Sequence, residues 1–235
     1  MSRSVVLKGE RRCHRCQQCP RWCVCAGLGA IACPLQVDVL MHHRESWRPT
    51  STGHLIHRVL TGSRQHIWRR ERGLAAADVR VPGRELWILH PAGPALPAGV
   101  PPESAHVLLL DGSWREAKAM AQDVAPWGRL VGLPMAGVSR YWLRTQQDGG
   151  RFSTVEALLF LLKAFGLAET HRHVQLQFEL HVYASLRARG RKEQAEEFLI
   201  ESPLMAALPE LIAQLNERRP RGNITGATGT LPPAT

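Results

Sequence analysis

Four short clusters in this sequence carry side chains able to do chemistry. The first is Asp111-Gly112-Ser113-Trp114, which follows the aliphatic run VLLL at 107–110. A short apolar run ended by an acid and a glycine reads as a buried parallel strand delivering a carboxylate to a sheet edge. Ligands bind outside the carboxyl ends of strands in open α/β sheets, so Asp111 stands where a proton acceptor or ligand contact is expected. The same pattern equally fits Asp111 as the N-cap of a helix carrying Trp114, Ala117 and Met120, because Asp is a favoured cap.

The second cluster is CHRCQQCPRWCVC, which holds five of the six cysteines. The spacing Cys13-x2-Cys16-x6-Cys23-x-Cys25 offers four thiolates, enough to close a tetrahedral zinc site of the structural kind. Cys19 lies inside the same stretch and is a spare or replaces one of the four. A redox-active or incidental cluster is the competing reading. Cys33, set apart before a proline, reads as a small buried apolar residue. In the third cluster Arg140, Tyr141, Trp142 and Arg144 interleave aromatics with cations, as nucleotide and single-stranded nucleic-acid sites do. Trp142 fits equally well as core, with the arginines solvated. The fourth, Ser153-Thr154-Val155-Glu156, is a capping box. Ser51-Thr52-Gly53 resembles both a plain N-cap and an anion site at a helix start. His42 and His43 lack partners at ligand spacing and read as polar strand-end residues.

The elements that must position these groups follow an α/β pattern. Strands are expected over Leu35 to His42, Glu85 to His90, Val107 to Asp111 and Arg129 to Leu133. Helices are expected from Ser51 or Thr52 with the stripe Leu55, Ile56, Val59 and Leu60, and from Ser153 with Leu158, Leu159, Leu161, Leu162 and Phe165 facing inward. Further helices are expected over Thr170 to Arg189, near 192 to 200, and from Ser202 with Pro203 at the first helical position. Strands alternating with helices imply a mostly parallel sheet flanked by helices. The Pro- and Gly-rich stretch after His90 is a loop, and beside the loop after Asp111 it would shape a cofactor pocket. The division expected is a basic lead-in and zinc knuckle over 1–34, a catalytic α/β domain over 35–218, and a disordered tail over 219–235.

Composition narrows the partner. Lys and Arg outnumber Asp and Glu by 30 to 20, with a sequence pI near 10.1, a balance that suits a polyanion and above all a nucleic acid. No apolar run is long enough to span a bilayer, and MSRSVVLKGERR holds no signal-peptide core, so a cytoplasmic location is the expectation.

In this order, CxxC-x6-CxC, DGSW after a strand, YWLR and STVEA resemble the DTW domain family, from Cys13 to the helix after residue 170. The resemblance implies a SPOUT-like fold, similar to tRNA-uridine aminocarboxypropyltransferases and related to knotted SPOUT-type RNA methyltransferases. It implies S-adenosylmethionine and structural zinc as cofactors and tRNA as partner. By the same resemblance Asp111, Ser113 and Trp114 belong to the reaction centre. His90, Pro91, Gly112, Tyr141, Arg144, Ser153, Thr154 and Glu156 surround the cofactor, and Cys13, Cys16, Cys23 and Cys25 hold zinc. Three departures stand out: Ser113 for a threonine, Ser51 for the asparagine of Asn-Thr-Gly, and no acid in His90-Pro91-Ala92-Gly93.

The implied reaction moves a 3-amino-3-carboxypropyl group to N3 of a uridine and releases methylthioadenosine, with Asp111 taking the N3 proton. N3 lies on the Watson–Crick edge, so the target uridine must be unpaired. Arg11, Arg12, Arg15 and Arg21 around the knuckle would grip tRNA through salt-sensitive phosphate contacts. Two other readings share most of these features: an RNA methyltransferase using the same cofactor, and a non-catalytic zinc-bearing RNA-binding protein.

Overall fold

The computed structural model describes residues 11–71, 73–144 and 152–217; the expected tail and most of the lead-in lie outside them. Five strands form one sheet: β1 (Gln36–His42), β2 (Gln65–Trp68), β3 (Glu85–Leu89), β4 (Ala105–Asp111) and β5 (Arg129–Val131). Their order is β2-β1-β4-β3-β5 and every pairing is parallel. All-parallel sheets are covered on both faces, which explains the near-continuous apolar runs of β1 and β4. The register sets Met41 opposite Asp111 and Leu89 opposite Leu109, so β1, β3 and β4 end side by side.

Alternate residues of these strands feed two apolar layers. Val39, Met41, Trp87, Val107 and Leu109 face one layer, with α1 (Gly53–Val59), α4 (Thr154–Ala164) and α5 (Ala168–Ala188) packed over them. Leu40, Ile88 and Leu108 face the other, closed by Val79 of α2 (Ala76–Val79) and by Met120 and Val124 of α3 (Trp114–Val124). The helices α6 (Lys192–Ile200), α7 (Leu204–Ala207) and α8 (Pro209–Asn216) complete the first layer through Phe198, Leu204 and Ile212. Truncating a fully buried anchor such as Phe178 would cost about 3–5 kcal/mol.

Two expectations needed correction. The short edge strand β2 carries no clear alternation and was not anticipated. The helix expected from Ser202 is instead split: Pro203 is the N-cap of α7, and Pro209 opens α8. Leu208 at the joint has φ −138° and ψ 50°, outside the helical region, as a residue before proline is pushed to be.

At the amino end of the central strands, away from Asp111, Asp38 is fully buried against His106 (3.0 Å), His66 (3.3 Å) and Arg64 (2.7 Å). Burial alone would raise its pKa; the hydrogen bonds from His106, His66 and Arg64 win and hold it well below the usual carboxylate range. The cysteine-rich segment is docked on the helical layer. Cys16, Cys19 and Trp22 join the main core, Gln18 donates to Ser185 (2.8 Å), and Gln177 donates to the Gly27 carbonyl (2.8 Å). Among the described residues no helix is long and apolar enough to cross a membrane.

Candidate active site

Asp111 is the last residue of β4, buried to 5% exposure, and it does not cap α3. That cap is Ser113, whose Oγ accepts from the Glu116 N–H (3.4 Å) while Glu116 Oε2 accepts from the Ser113 N–H (2.8 Å) and hydroxyl (2.7 Å). Asp111 is held from two distant elements instead. Ser51, in the loop between β1 and α1, donates its hydroxyl to Oδ2 (2.7 Å), and Thr154, the first residue of α4, donates to Oδ1 (2.5 Å). Thr52 stands at the N-cap of α1, one of the two positions expected, but without a side-chain cap hydrogen bond, and the Ser51 hydroxyl goes to Asp111 instead. A Cβ on Gly53 would lie 2.7 Å from Asp111 Oδ2, so only glycine lets the start of α1 approach this closely. Each carboxylate oxygen receives one hydroxyl and keeps further acceptor capacity towards solvent or ligand.

Two cavities of opposite character meet at this point. One, of about 740 Å³, lies over the ends of β3, β4 and β5 and is walled by Leu89, Leu109, Leu133, Met135, Phe152 and Ala157. His90, Pro91, Ser153 and Thr154 also line it. The other, of about 1120 Å³ and more open, is lined by Glu45, Arg48, Ser51, Thr52, Asp111, Ser113 and Tyr141. Gly112, Trp114 and Arg144 border both. Trp114 is 46% exposed, so it is a rim residue rather than core.

The structure thus brings together Asp111, Gly112, Ser113, Trp114, His90, Pro91, Tyr141, Arg144, Ser153 and Thr154 around one pair of cavities. Glu156 lines neither. Its buried carboxylate accepts from the Ser153 N–H (2.6 Å), the Arg140 N–H (2.7 Å) and the Ser139 hydroxyl (2.9 Å), tying the 139–140 segment to α4. Tyr141 works similarly: its hydroxyl donates to the Thr50 carbonyl (2.7 Å), which steadies the loop carrying Ser51, and the Arg144 guanidinium lies 5.1 Å from its ring centre. Arg140 turns away to pair with Glu179 (3.1 Å), and Trp142 packs edge-on against Phe198, so Trp142 fits the core reading.

Glu45 and Glu116 escaped the sequence reading, and His42, read only as a polar strand-end residue, faces one of them. Glu45 opens the 3-10 turn Glu45–Trp47 just past β1; its buried carboxylate pairs with Arg48. Burial first, and the neighbouring Asp111 second, push its pKa up. His42 Nδ1 lies 3.2 Å from Glu116 Oε1. Burial lowers the pKa of His42, whereas the Ser113 hydrogen bonds outweigh burial and hold Glu116 below its ordinary value. The signal was available: β1 is a neighbour of β4, so its carboxyl end belongs to the same edge.

In the knuckle, the sulfurs of Cys13, Cys16, Cys23 and Cys25 all lie within 4.8 Å of one another. The Cys13–Cys25 pair is 3.4 Å apart and the Cys16–Cys23 pair 3.7 Å. A tetrahedral ion with bonds of about 2.3 Å to four sulfurs needs edges of about 3.8 Å, so the set fits a zinc-sized ion. Cys19 lies outside this group of four. Burial works against ionisation at Cys13, yet hydrogen bonds from the Cys16 and Arg15 backbone and from Cys25 lower it to about 6, whereas burial and the adjacent sulfurs push Cys25 up.

A parallel sheet with an acid at the end of its central strand, two adjoining cavities beside that strand end and a four-cysteine cluster near the N-terminus define an α/β domain with one candidate site. Sequence comparison then gives the family: the DTW domain matches residues 10–188, and the chain belongs to that family. It is similar to tRNA-uridine aminocarboxypropyltransferase 2 of Drosophila melanogaster, 27% identical over 160 residues, which is 62% of this chain and 64% of that protein. The chain thus spans somewhat under two thirds of that relative's length. No solved structure matches it.

Proposed function

We propose that this protein transfers a 3-amino-3-carboxypropyl group from S-adenosylmethionine to N3 of a uridine in tRNA, releasing methylthioadenosine in the cytoplasm. The observation that carries the reading is the position of Asp111 where an apolar cavity meets an acid- and arginine-lined cleft. The tRNA-modifying name of the relative supports the substrate class, and the charge of +10 suits it. S-adenosylmethionine supplies an electrophilic carbon beside a sulfonium, with an adenine at one end and a zwitterionic amino acid at the other.

The apolar cavity suits the adenosine end, held by Leu89, Leu109, Leu133 and Met135, with His90 and Pro91 at its wall. The polar cleft suits the amino-acid end: Arg144 would bind its carboxylate through paired N–H donors, and Glu45 its ammonium. Asp111 would take the N3 proton as the N3–carbon bond forms and the carbon–sulfur bond breaks. Ser51 and Thr154 orient that carboxylate, and Gly112 lets α3 pack close beside it, since a Cβ there would lie 3.1 Å from Glu116 Cβ and 3.2 Å from Met120 Cε. Trp114, at the shared rim, would lie against the incoming base. The four cysteines would hold zinc in a closed, structural site.

The test is mass spectrometry of nucleosides and small products after incubating the purified protein with tRNA transcript and S-adenosylmethionine. The expected result is an aminocarboxypropyl-uridine with matching methylthioadenosine. A methylated nucleoside with S-adenosylhomocysteine would replace the reaction by methylation. Clear tRNA binding with neither product, across several tRNAs, would overturn the enzyme reading in favour of a binding protein.

A further inference from the structure

Trp47 is 80% exposed, far more than any other tryptophan named among the exposed apolar residues, yet it stands on firmly fixed backbone. The 3-10 turn that carries it is closed by the Arg48 N–H on the Glu45 carbonyl (2.9 Å), and the Ser51 N–H extends the same loop onto the Arg48 carbonyl (2.9 Å). The Ser46 hydroxyl donates to the His43 carbonyl (2.6 Å), and His54 of α1 lies 3.2 Å from the Ser46 carbonyl. Residues on both sides of Trp47, Glu45 and Arg48, line the polar cleft. The indole is therefore presented to solvent beside residues of the cleft, on a turn held by hydrogen bonds at both ends.

An indole normally buries 150–250 Å² of surface, so a rigid exposed one marks a contact surface. Its neighbours indicate the kind of partner. Arg44 and Arg48 flank it with side chains 63% and 57% exposed, and the acid of the turn, Glu45, is buried and paired. The Arg44 guanidinium is only loosely held, 3.9 Å from Glu116. A cationic, aromatic lip suits an unpaired nucleic-acid base better than an apolar protein face. A uridine whose N3 enters the cleft must be splayed from its strand, and its neighbours lose a stacking partner.

We propose that Trp47 is a stacking platform for an unpaired base adjoining the target nucleotide, with Arg44 on the nearby phosphate. This rests on RNA being the substrate, and adds where the strand lies: across the β1–α1 loop, with the lip at Trp47 and the rim at Trp114 on either side of the cleft.

The experiment compares the full-length protein with Trp47→Ala, Trp47→Phe and Arg44→Ala, measuring tRNA affinity, KM for tRNA, KM for S-adenosylmethionine and melting temperature. Base–aromatic stacking removed by alanine weakens affinity by roughly 5- to 150-fold. Trp47→Ala is expected to lose tRNA affinity in that range and to raise KM for tRNA. KM for S-adenosylmethionine and the melting temperature should stay unchanged, and Trp47→Phe should recover most of the loss. Arg44→Ala should flatten the salt dependence of binding by about one phosphate contact. Unchanged tRNA affinity in Trp47→Ala would overturn the proposal, as would binding of anionic lipid vesicles that depends on Trp47 while tRNA binding does not. Affinity is read without turnover, so the transferase reading and the platform fail separately. Wild-type protein that binds tRNA through Trp47 but yields no product keeps the platform and loses the transferase; product formed by Trp47→Ala with unchanged affinity and KM for tRNA does the reverse.

Discussion

At the scale of single residues, the site turns on two carboxylates made different by their surroundings. Asp111 receives hydroxyls on both oxygens, whereas Glu45 is buried against Arg48 and feels Asp111 as a like charge. Asp111→Asn keeps the shape and removes the proton acceptor, so kcat/KM should fall by 10² or more while the melting temperature moves by only a few degrees; turnover within tenfold of wild type would exclude Asp111 as the base. Glu45→Gln should act on binding instead, raising KM for S-adenosylmethionine with a smaller effect on kcat. The pH dependence has a definite sign. Glu45 must be ionised to hold an ammonium, and its pKa is raised, so wild-type affinity should weaken on acidification above the ordinary glutamate range, and the Gln variant should lack that limb. Matched titrations of the two proteins decide it: identical pH profiles would remove Glu45 from the cofactor site. Asp111 was legible in the sequence because an aliphatic run ending in an acid has few structural meanings. Ser51 was not. A serine before a helix looks like a cap from local pattern alone, and its true acceptor lies 60 residues away.

At the scale of elements, the site exists because three parallel strands end together and two helices begin over them. The strands carrying Asp111 and Leu89 were legible from apolar runs bounded by turn residues, and the cap of α4 from Ser153 and Glu156, which the structure confirms as a reciprocal capping box. The edge strand β2 was not: two half-buried residues, an exposed isoleucine and a buried tryptophan at a sheet edge form neither a clear alternation nor a continuous apolar run. Nor could sequence show why α1 opens on glycine. Gly53→Ala tests that point, because two effects oppose each other. Alanine favours a helix over glycine by about 1 kcal/mol, whereas the new Cβ would sit 2.7 Å from Asp111 Oδ2 and 2.9 Å from Met41 Cε, and overpacking costs about 1–3 kcal/mol. The clash should win, because Asp111 is clamped by two hydroxyls and would have to give up both to move away. The expected outcome is a melting temperature lowered by a few degrees with activity reduced out of proportion, at least tenfold. A more stable, fully active Gly53→Ala protein would show that the approach of α1 to Asp111 is looser than the structure has it.

At the scale of the whole molecule, the cysteine-rich segment and the parallel sheet are joined through one shared core. Cys16, Cys19 and Trp22 share the main core with Val174, Phe178 and Leu186, and Ile31 bridges to Leu60 at the end of α1. Arg58 of α1 is half-buried beside the thiols; desolvation lowers its pKa, and Cys16, Cys25 and Cys13 offset that by attraction. Arg58 also donates to the Arg15 carbonyl (2.6 Å). The same helix therefore meets the cysteine cluster through Arg58 and Asp111 through Gly53. Removing the proposed zinc should consequently do more than loosen a surface loop. Four buried or half-buried sulfurs would lose their counter-charge, the docking of Trp22 and Gln18 would weaken, and α1 would lose an anchor. Structural zinc contributes folding free energy directly, so a strong chelator or paired Cys13→Ser and Cys25→Ser substitutions should lower the melting temperature by about 10 °C or more. Hydrogen exchange should rise in α1 as well as in the knuckle, and activity should fall in step with that exposure. Metal analysis of the purified protein should give one zinc per chain. Protein free of zinc, with an unchanged melting temperature in both variants, would remove the metal from the fold. Zinc loss that raises exchange in the knuckle alone would keep the metal but break the proposed link through α1 to Asp111.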